Sequence, residues 1–154
     1  MNPLQQKKDG WCGPAAVSFA LLKLGKYIPQ EKIAKETETS IKKGVDPFPL
    51  VSFIKSQGFK TNVYSDKDPN ATLSTLGVLA KRGNSILVDY LAGNSMDDGH
   101  YVVLQSVQGE KITVFDPQLG ENKELTKSYF LRHWRDRTDS GRILKNWALV
   151  ISNS

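Results

Sequence analysis

A single cysteine among 154 residues excludes an intramolecular disulfide, a four-cysteine zinc site, a paired-thiol redox motif and a thiolate-held iron–sulfur cluster. Histidine is nearly as scarce, with His100 and His133 the two copies. One cysteine and two histidines would need a carboxylate to complete a zinc site, and they lack local ligand spacing. No metal and no cofactor is expected. The opening Met-Asn-Pro-Leu-Gln-Gln-Lys-Lys has no apolar stretch of the signal-peptide kind. No apolar run approaches the roughly 20 residues that cross a bilayer, so no membrane segment is expected. Together these absences predict a cytoplasmic, reducing location with Cys12 a free thiol. Repeats, low-complexity tracts and linkers are also missing, so residues 1–154 read as one domain.

Lys plus Arg is 21 and Asp plus Glu is 16, a net charge of +5. The bases (Lys7, Lys8, Lys42, Lys43, Arg132, Arg135, Arg137) are scattered among acids without a long basic run. That pattern predicts a lysine-rich solvated surface and no nucleic-acid partner.

Local signals divide the chain into a helix-rich front and a strand-rich back. A helix is predicted from Cys12-Gly13-Pro14, since proline's missing N–H costs nothing in a first turn; Gly25 is its natural end. Shorter helices are predicted from Pro29 to Glu36 and from Asp46-Pro47 to Gly58. Lys60–Tyr64 reads as a strand, Leu73–Arg82 as a helix and Ile86–Tyr90 as a strand. His100–Val107 and Lys111–Phe115 read as a hairpin around Gln108-Gly109-Glu110. Thr126–Trp134 reads as a helix and Trp147–Ile151 as a closing strand. Helices followed by antiparallel strands indicate an α+β domain.

The cysteine stands where that pattern matters chemically. At a helix start, unpaired N–H groups and the helix dipole favour a thiolate, the nucleophilic form. The bland alternative is a small buried apolar residue. Gly13, Pro14, Ala15 and Ala16 are small and allow a substrate to come close. Gln6, six residues earlier, carries an amide that can donate to a developing oxyanion; Gln5 is its neighbour and competitor. A cysteine nucleophile needs a base. His100 follows Gly99 at the start of a strand, a rigid mount with open access, whereas His133 reads as a partly exposed helix residue. Asp116 ends the strand paired with that of His100 and falls near it, where a carboxylate would orient the imidazole.

Gln6, then Cys12-Gly13-Pro14-Ala15-Ala16, resembles the start of the papain-like leader peptidases that process bacteriocins at double-glycine sites, family 39 of the cysteine peptidases. Gly99-His100-Tyr101-Val102-Val103-Leu104 is similar to their histidine motif. Val114-Phe115-Asp116-Pro117 with Gly120 is similar to their aspartate motif. The resemblance implies a papain-like fold, with the nucleophile at a helix start packed on a C-terminal antiparallel sheet. It implies Cys12 as nucleophile, His100 as base, Asp116 as orienting carboxylate and Gln6 as oxyanion donor. Transporter-linked members usually carry aspartate just before the cysteine, where this chain has Trp11. That departure, with no transporter following, suggests the free-standing type.

The expected activity is hydrolysis of a peptide or protein substrate at glycine-rich or leader-peptide sites. A glutamine deamidase, amidase or acyltransferase would share the same acyl-enzyme, and a non-catalytic peptide-binding module would share the fold. Trp11, Gly13 and Gly99 are the candidate substrate-binding residues, although Trp11 serves equally well as core packing. Asn94–Gly99 reads mainly as a turn. Asp89, inside an apolar strand, is either a partner of the site or a solvent-facing residue; the sequence leaves both open.

Overall fold

The computed structural model describes residues 3–65, 68–96 and 98–154. Its first helix, α1 (Cys12–Lys23), starts at the Cys-Gly-Pro segment and stops before Gly25, whose φ of 96° suits glycine. Two short helices, α2 (Gln30–Glu36) and α3 (Pro47–Ser56), precede the first strand, β1 (Lys60–Ser65). The next helix, α4 (Pro69–Lys81), begins earlier than Leu73. Asp68 caps it by accepting the Ala71 N–H at 3.1 Å, and Pro69 follows at the first helical position.

The strand-rich half then runs β2 (Ser85–Leu91), β3 (Gly99–Gln108), β4 (Lys111–Asp116) and β5 (Glu121–Thr126). Helix α5 (Lys127–His133), the short hairpin strands β6 (Arg135–Arg137) and β7 (Ile143–Lys145), and β8 (Trp147–Ser152) complete the chain. Six strands form one antiparallel sheet in the order β1-β8-β2-β3-β4-β5, and β6 pairs with β7 separately. The architecture is the expected α+β class, with helix α1 laid on an antiparallel sheet.

Three strands depart from the sequence reading. Strand β5 (Glu-Asn-Lys-Glu-Leu-Thr) lies at the sheet edge and is almost wholly exposed, so no apolar alternation marks it. Strands β6 and β7 have three residues each, too few for a period to show.

The sheet is covered on both faces. On one, Ala16, Val17, Ala20 and Leu21 of α1 pack on Leu87, Val103, Phe115 and Leu149. On the other, Leu73 and Leu76 of α4 and Phe130 of α5 pack on Val88, Val102 and Leu104. Central strand β2 is therefore buried at every position, which explains its continuous apolar run. The alanines of α1 let its backbone approach the sheet, and Ser85 Oγ donates to the Ala20 carbonyl at 2.7 Å. No described helix is long and apolar enough to cross a membrane.

Candidate active site

Helix α1 delivers Cys12 to the end of the sheet where β3 begins and β4 ends. Cys12 is a half-buried free thiol, and no side chain caps the helix at Trp11. Close packing fixes the helix's position. A Cβ on Gly13 would lie 2.8 Å from Val45 Cγ1, 3.2 Å from Leu50 Cδ1 and 3.3 Å from Tyr101 Cδ2. Gly13 is thus buried and walled by the protein's own side chains. Trp11 is 9% exposed, with Lys8 Nζ 5.1 Å over its ring. It is buried, and the described lining of the cleft does not include it.

His100 is the second residue of β3. The β3–β4 register pairs Val103 with Phe115 and Leu104 with Val114. Continued by one step, it sets Val102 opposite Asp116, so His100 and Asp116 are diagonal neighbours on one face. Their side chains meet: His100 Nε2 lies 2.6 Å from Asp116 Oδ1, with both residues buried. The same oxygen accepts the Gln118 N–H at 2.9 Å, and Lys123 Nζ lies 4.0 Å from Oδ2. The Cys12 thiol is within hydrogen-bonding reach of the imidazole. With Nε2 held by Asp116, Nδ1 is the nitrogen left for it.

Electrostatics follow from this chain of contacts. Burial pulls the His100 pKa down, but bonds to Asp116 and Cys12 outweigh it and raise it to about 9. Burial pushes Asp116 up, and its bond to His100 and the imidazolium charge bring it below the ordinary carboxylate range. At neutral pH the pair is imidazolium and carboxylate.

Gln6 lines the same cleft as Cys12 and His100. Its backbone N–H donates to the Pro117 carbonyl at 2.8 Å, tying the N-terminal segment to the turn after Asp116. Its side-chain Nε2 donates to the Lys8 carbonyl at 3.1 Å, while Oε1 is buried without a donor. The Lys8 carbonyl fixes which way round the amide sits, since the flipped amide would face oxygen to oxygen. One N–H remains for another acceptor. Gln5 is exposed, and its Nε2 is bonded to the Gln118 carbonyl at 2.8 Å. His133 is turned to its own helix, with Nδ1 donating to the Tyr129 carbonyl at 2.8 Å and its ring stacked on Tyr129.

The cleft has a volume of about 910 Å³. One wall carries residues 41–47, and the other is the β6–β7 hairpin. Asp46 occupies the N-cap position of α3 without a side-chain cap bond; its carboxylate accepts the Asp139 N–H at 2.9 Å and joins the two walls. The segment before Gly99 forms a turn, in which Asp98 accepts the Ser95 N–H at 2.9 Å; Asp97 lies outside the described residues. Asp89 is buried at 1% exposure on the cleft, not turned to solvent. Beside it stands Asp136 of β6, which no sequence signal marked. Gly99 faces Asp136, whose oxygens would lie 2.3 and 2.4 Å from an added Cβ. Among the described residues no group of three or more His, Cys, Asp or Glu side chains is placed to hold a metal ion.

Solved structures share this architecture across nearly the whole chain. The peptidase domain of Streptococcus ComA, described as a bifunctional ABC transporter of a quorum-sensing pathway, superposes with a TM-score of 0.75 at 18% identity, covering 97% of this chain and 96% of that one. A C39-like peptidase from Bacillus anthracis gives 0.73 at 15% identity, covering 97% and 93%. A double-glycine-motif protease of an AMS/PCAT transporter, solved with a leader peptide, gives 0.71 at 16% identity, covering 97% and 89%. No curated protein matches the chain. The model of the peptidase C39 family matches residues 1–138, a span that includes Gln6, Cys12, His100, Asp116 and both cleft walls as far as β6. On that match, the chain belongs to the peptidase C39 family.

Proposed function

We propose that the protein is a cysteine peptidase that cuts peptide bonds through an acyl-enzyme on Cys12. The observation that carries this reading is the position of His100, hydrogen-bonded to Asp116 and within reach of the Cys12 thiol at the floor of an open cleft. Three side chains from α1, β3 and β4 have no packing need to converge there.

In the proposed reaction the Cys12 thiolate attacks the scissile carbonyl. The oxyanion is held by the remaining N–H of the Gln6 amide and the Cys12 backbone N–H. His100, protonated at neutral pH, gives its proton to the leaving amine. The neutral imidazole then takes a proton from water, which attacks the thioester and releases the acid. Asp116 holds the ring in place and stabilises its charge throughout. The substrate class is a peptide of the leader type, cut at small residues. Family membership supports this class, as does the solved relative bound to a leader peptide.

The test is mass spectrometry of a peptide library incubated with wild type, Cys12→Ala and His100→Ala. Two fragments whose masses sum to substrate plus water are expected, with a thioester adduct on Cys12 at early times. Cleavage that persists in Cys12→Ala overturns the proposal. A gain of about one dalton at glutamine without chain cleavage would assign the site to deamidation.

A further inference from the structure

The proposed peptidase leaves one pair of buried carboxyls unused. Asp89 of β2 lies on the sheet face that turns toward α1, opposite Tyr101 in the register. It is 1% exposed, and neither oxygen meets a hydrogen-bond donor. Tyr101, its partner across the ladder, donates its hydroxyl proton to the Val45 carbonyl at 2.8 Å. The neighbour of Asp89 is another acid, Asp136, so a hydrogen bond between them requires a proton on one. Burial pushes Asp89 well above the ordinary carboxylate range, and Asp136 and Cys12 push it further. A buried acid without a donor is costly unless something else supplies one.

Asp89 and Asp136 both line the cleft, and Asp136 is half-buried, so it meets an entering group first. Its carboxylate rests against bare Gly99, the residue before His100. The pair therefore shares the cleft with the nucleophile and the base, next to the residue that precedes His100. Asp46 and Asp139 add negative charge on either side. Of the bases at the mouth, Lys43 is 3.6 Å from Asp139, Arg137 acts on Asp136, and Lys42 is exposed. The chain as a whole is +5, whereas the cleft is lined by Asp9, Asp46, Asp89, Asp136 and Asp139 against Lys42, Lys43, Arg137 and the His100 imidazolium.

We propose that Asp89 and Asp136 form a cation-recognising subsite that selects peptides carrying lysine or arginine within two residues of the cut. An ammonium or guanidinium brings several donors and a positive charge, and replaces the shared proton with a partner for both acids. A neutral amide would supply donors without the charge. A glycine at that position would leave the two acids with only the proton they share. The proposal rests on the peptidase reading and narrows its substrate.

The experiment has two arms. In the first, Cys12 is modified by 2-aminoethyl methanethiosulfonate and by 2-sulfonatoethyl methanethiosulfonate, in wild type, Asp136→Asn, Asp89→Asn and Asp139→Asn. The ratio of cationic to anionic rate is expected to fall at least tenfold in Asp136→Asn, and by a smaller factor in Asp89→Asn, which leaves the Asp136 charge in place. It should change less than twofold in Asp139→Asn, which removes the same formal charge at the mouth. In the second arm, peptides differing only as lysine or norleucine beside the cut are compared, and wild type is expected to prefer lysine tenfold in kcat/KM. Equal rate ratios in wild type and Asp136→Asn, or an equal effect of Asp139→Asn, overturn the subsite, as does cleavage without a lysine preference. If neither peptide is cut, the peptidase reading fails, and the modification ratio alone decides whether the pair recognises a cation.

Discussion

His100 and Asp116 are joined by a 2.6 Å contact between Nε2 and Oδ1. The charged form of each favours the charged form of the other: His100 is raised to about 9 and Asp116 lowered. The pair is buried, so water does not screen it. Asp116→Asn keeps the shape and removes the charge. An amide there no longer dictates the tautomer, and kcat/KM is expected to fall at least about a hundredfold, toward the roughly 10⁴-fold loss known for such a change. Rates with one cleavable peptide, with near-native circular dichroism, would check this. A loss under threefold would remove Asp116 from the proposed mechanism.

The same pair sets the alkaline behaviour. The His100 pKa is raised above its ordinary value of 6.5, so the imidazolium is present below about 9 and lost as pH rises through it. Proton delivery to the leaving amine is lost with it, and kcat/KM is expected to fall above about pH 9. Stability has the same sign: the contribution is complete below 6.5, the unfolded value, and disappears as pH passes 9. In Asp116→Asn the strongest support for the raised value is gone, so the alkaline limb should move to lower pH. A limb unmoved by the substitution would show that another group sets it.

The meeting of Cys12, His100 and Asp116 is legible in the sequence because each stands at an element boundary with its own chemical mark. Cys12 precedes Gly-Pro at a helix start, His100 follows glycine at a strand start, and Asp116 precedes proline at a strand end. The hairpin register then needs only alternation to bring the last two together. Asp89 is half-legible: an acid in Ile-Leu-Val-Asp-Tyr is anomalous, but alternation alone points it to either face. Asp136 is illegible, because β6 is three residues long and packs through tertiary contacts with β2 and β3. Gly13 shows a different limit. Smallness in sequence does not say whether the space is left for a ligand or filled by Val45, Leu50 and Tyr101.

That filled space makes a stability prediction. Gly13→Ala would set a Cβ 2.8 Å from Val45 Cγ1, and a β-branched valine has little freedom to retreat. Overpacking of this kind costs about 1–3 kcal/mol, or a drop of several degrees in Tm for a chain of this length. Val45→Ala should recover most of the loss in the double variant, since the two sites share one contact. Thermal unfolding of the four proteins of the cycle checks it. Strict additivity would place the strain elsewhere.

Gln6 allows an oxyanion role to be separated from a structural one. Its side chain is held by the Lys8 carbonyl, and its backbone by Pro117, so Gln6→Ala leaves the backbone tie intact. If the amide donates to the oxyanion, Gln6→Ala should lower kcat about a hundred- to a thousandfold with little change in KM, because the bond forms only as the carbonyl becomes tetrahedral. Alkylation of Cys12 by iodoacetamide displaces iodide at carbon and develops no oxyanion. Its rate should therefore stay within about threefold of wild type over the pH range. A parallel fall in both rates would mean that Gln6 shapes the thiol's surroundings instead. Gln5→Ala, which removes only the bond to the Gln118 carbonyl, should leave both rates near wild type. A large loss in that variant would transfer the oxyanion role to the neighbouring glutamine.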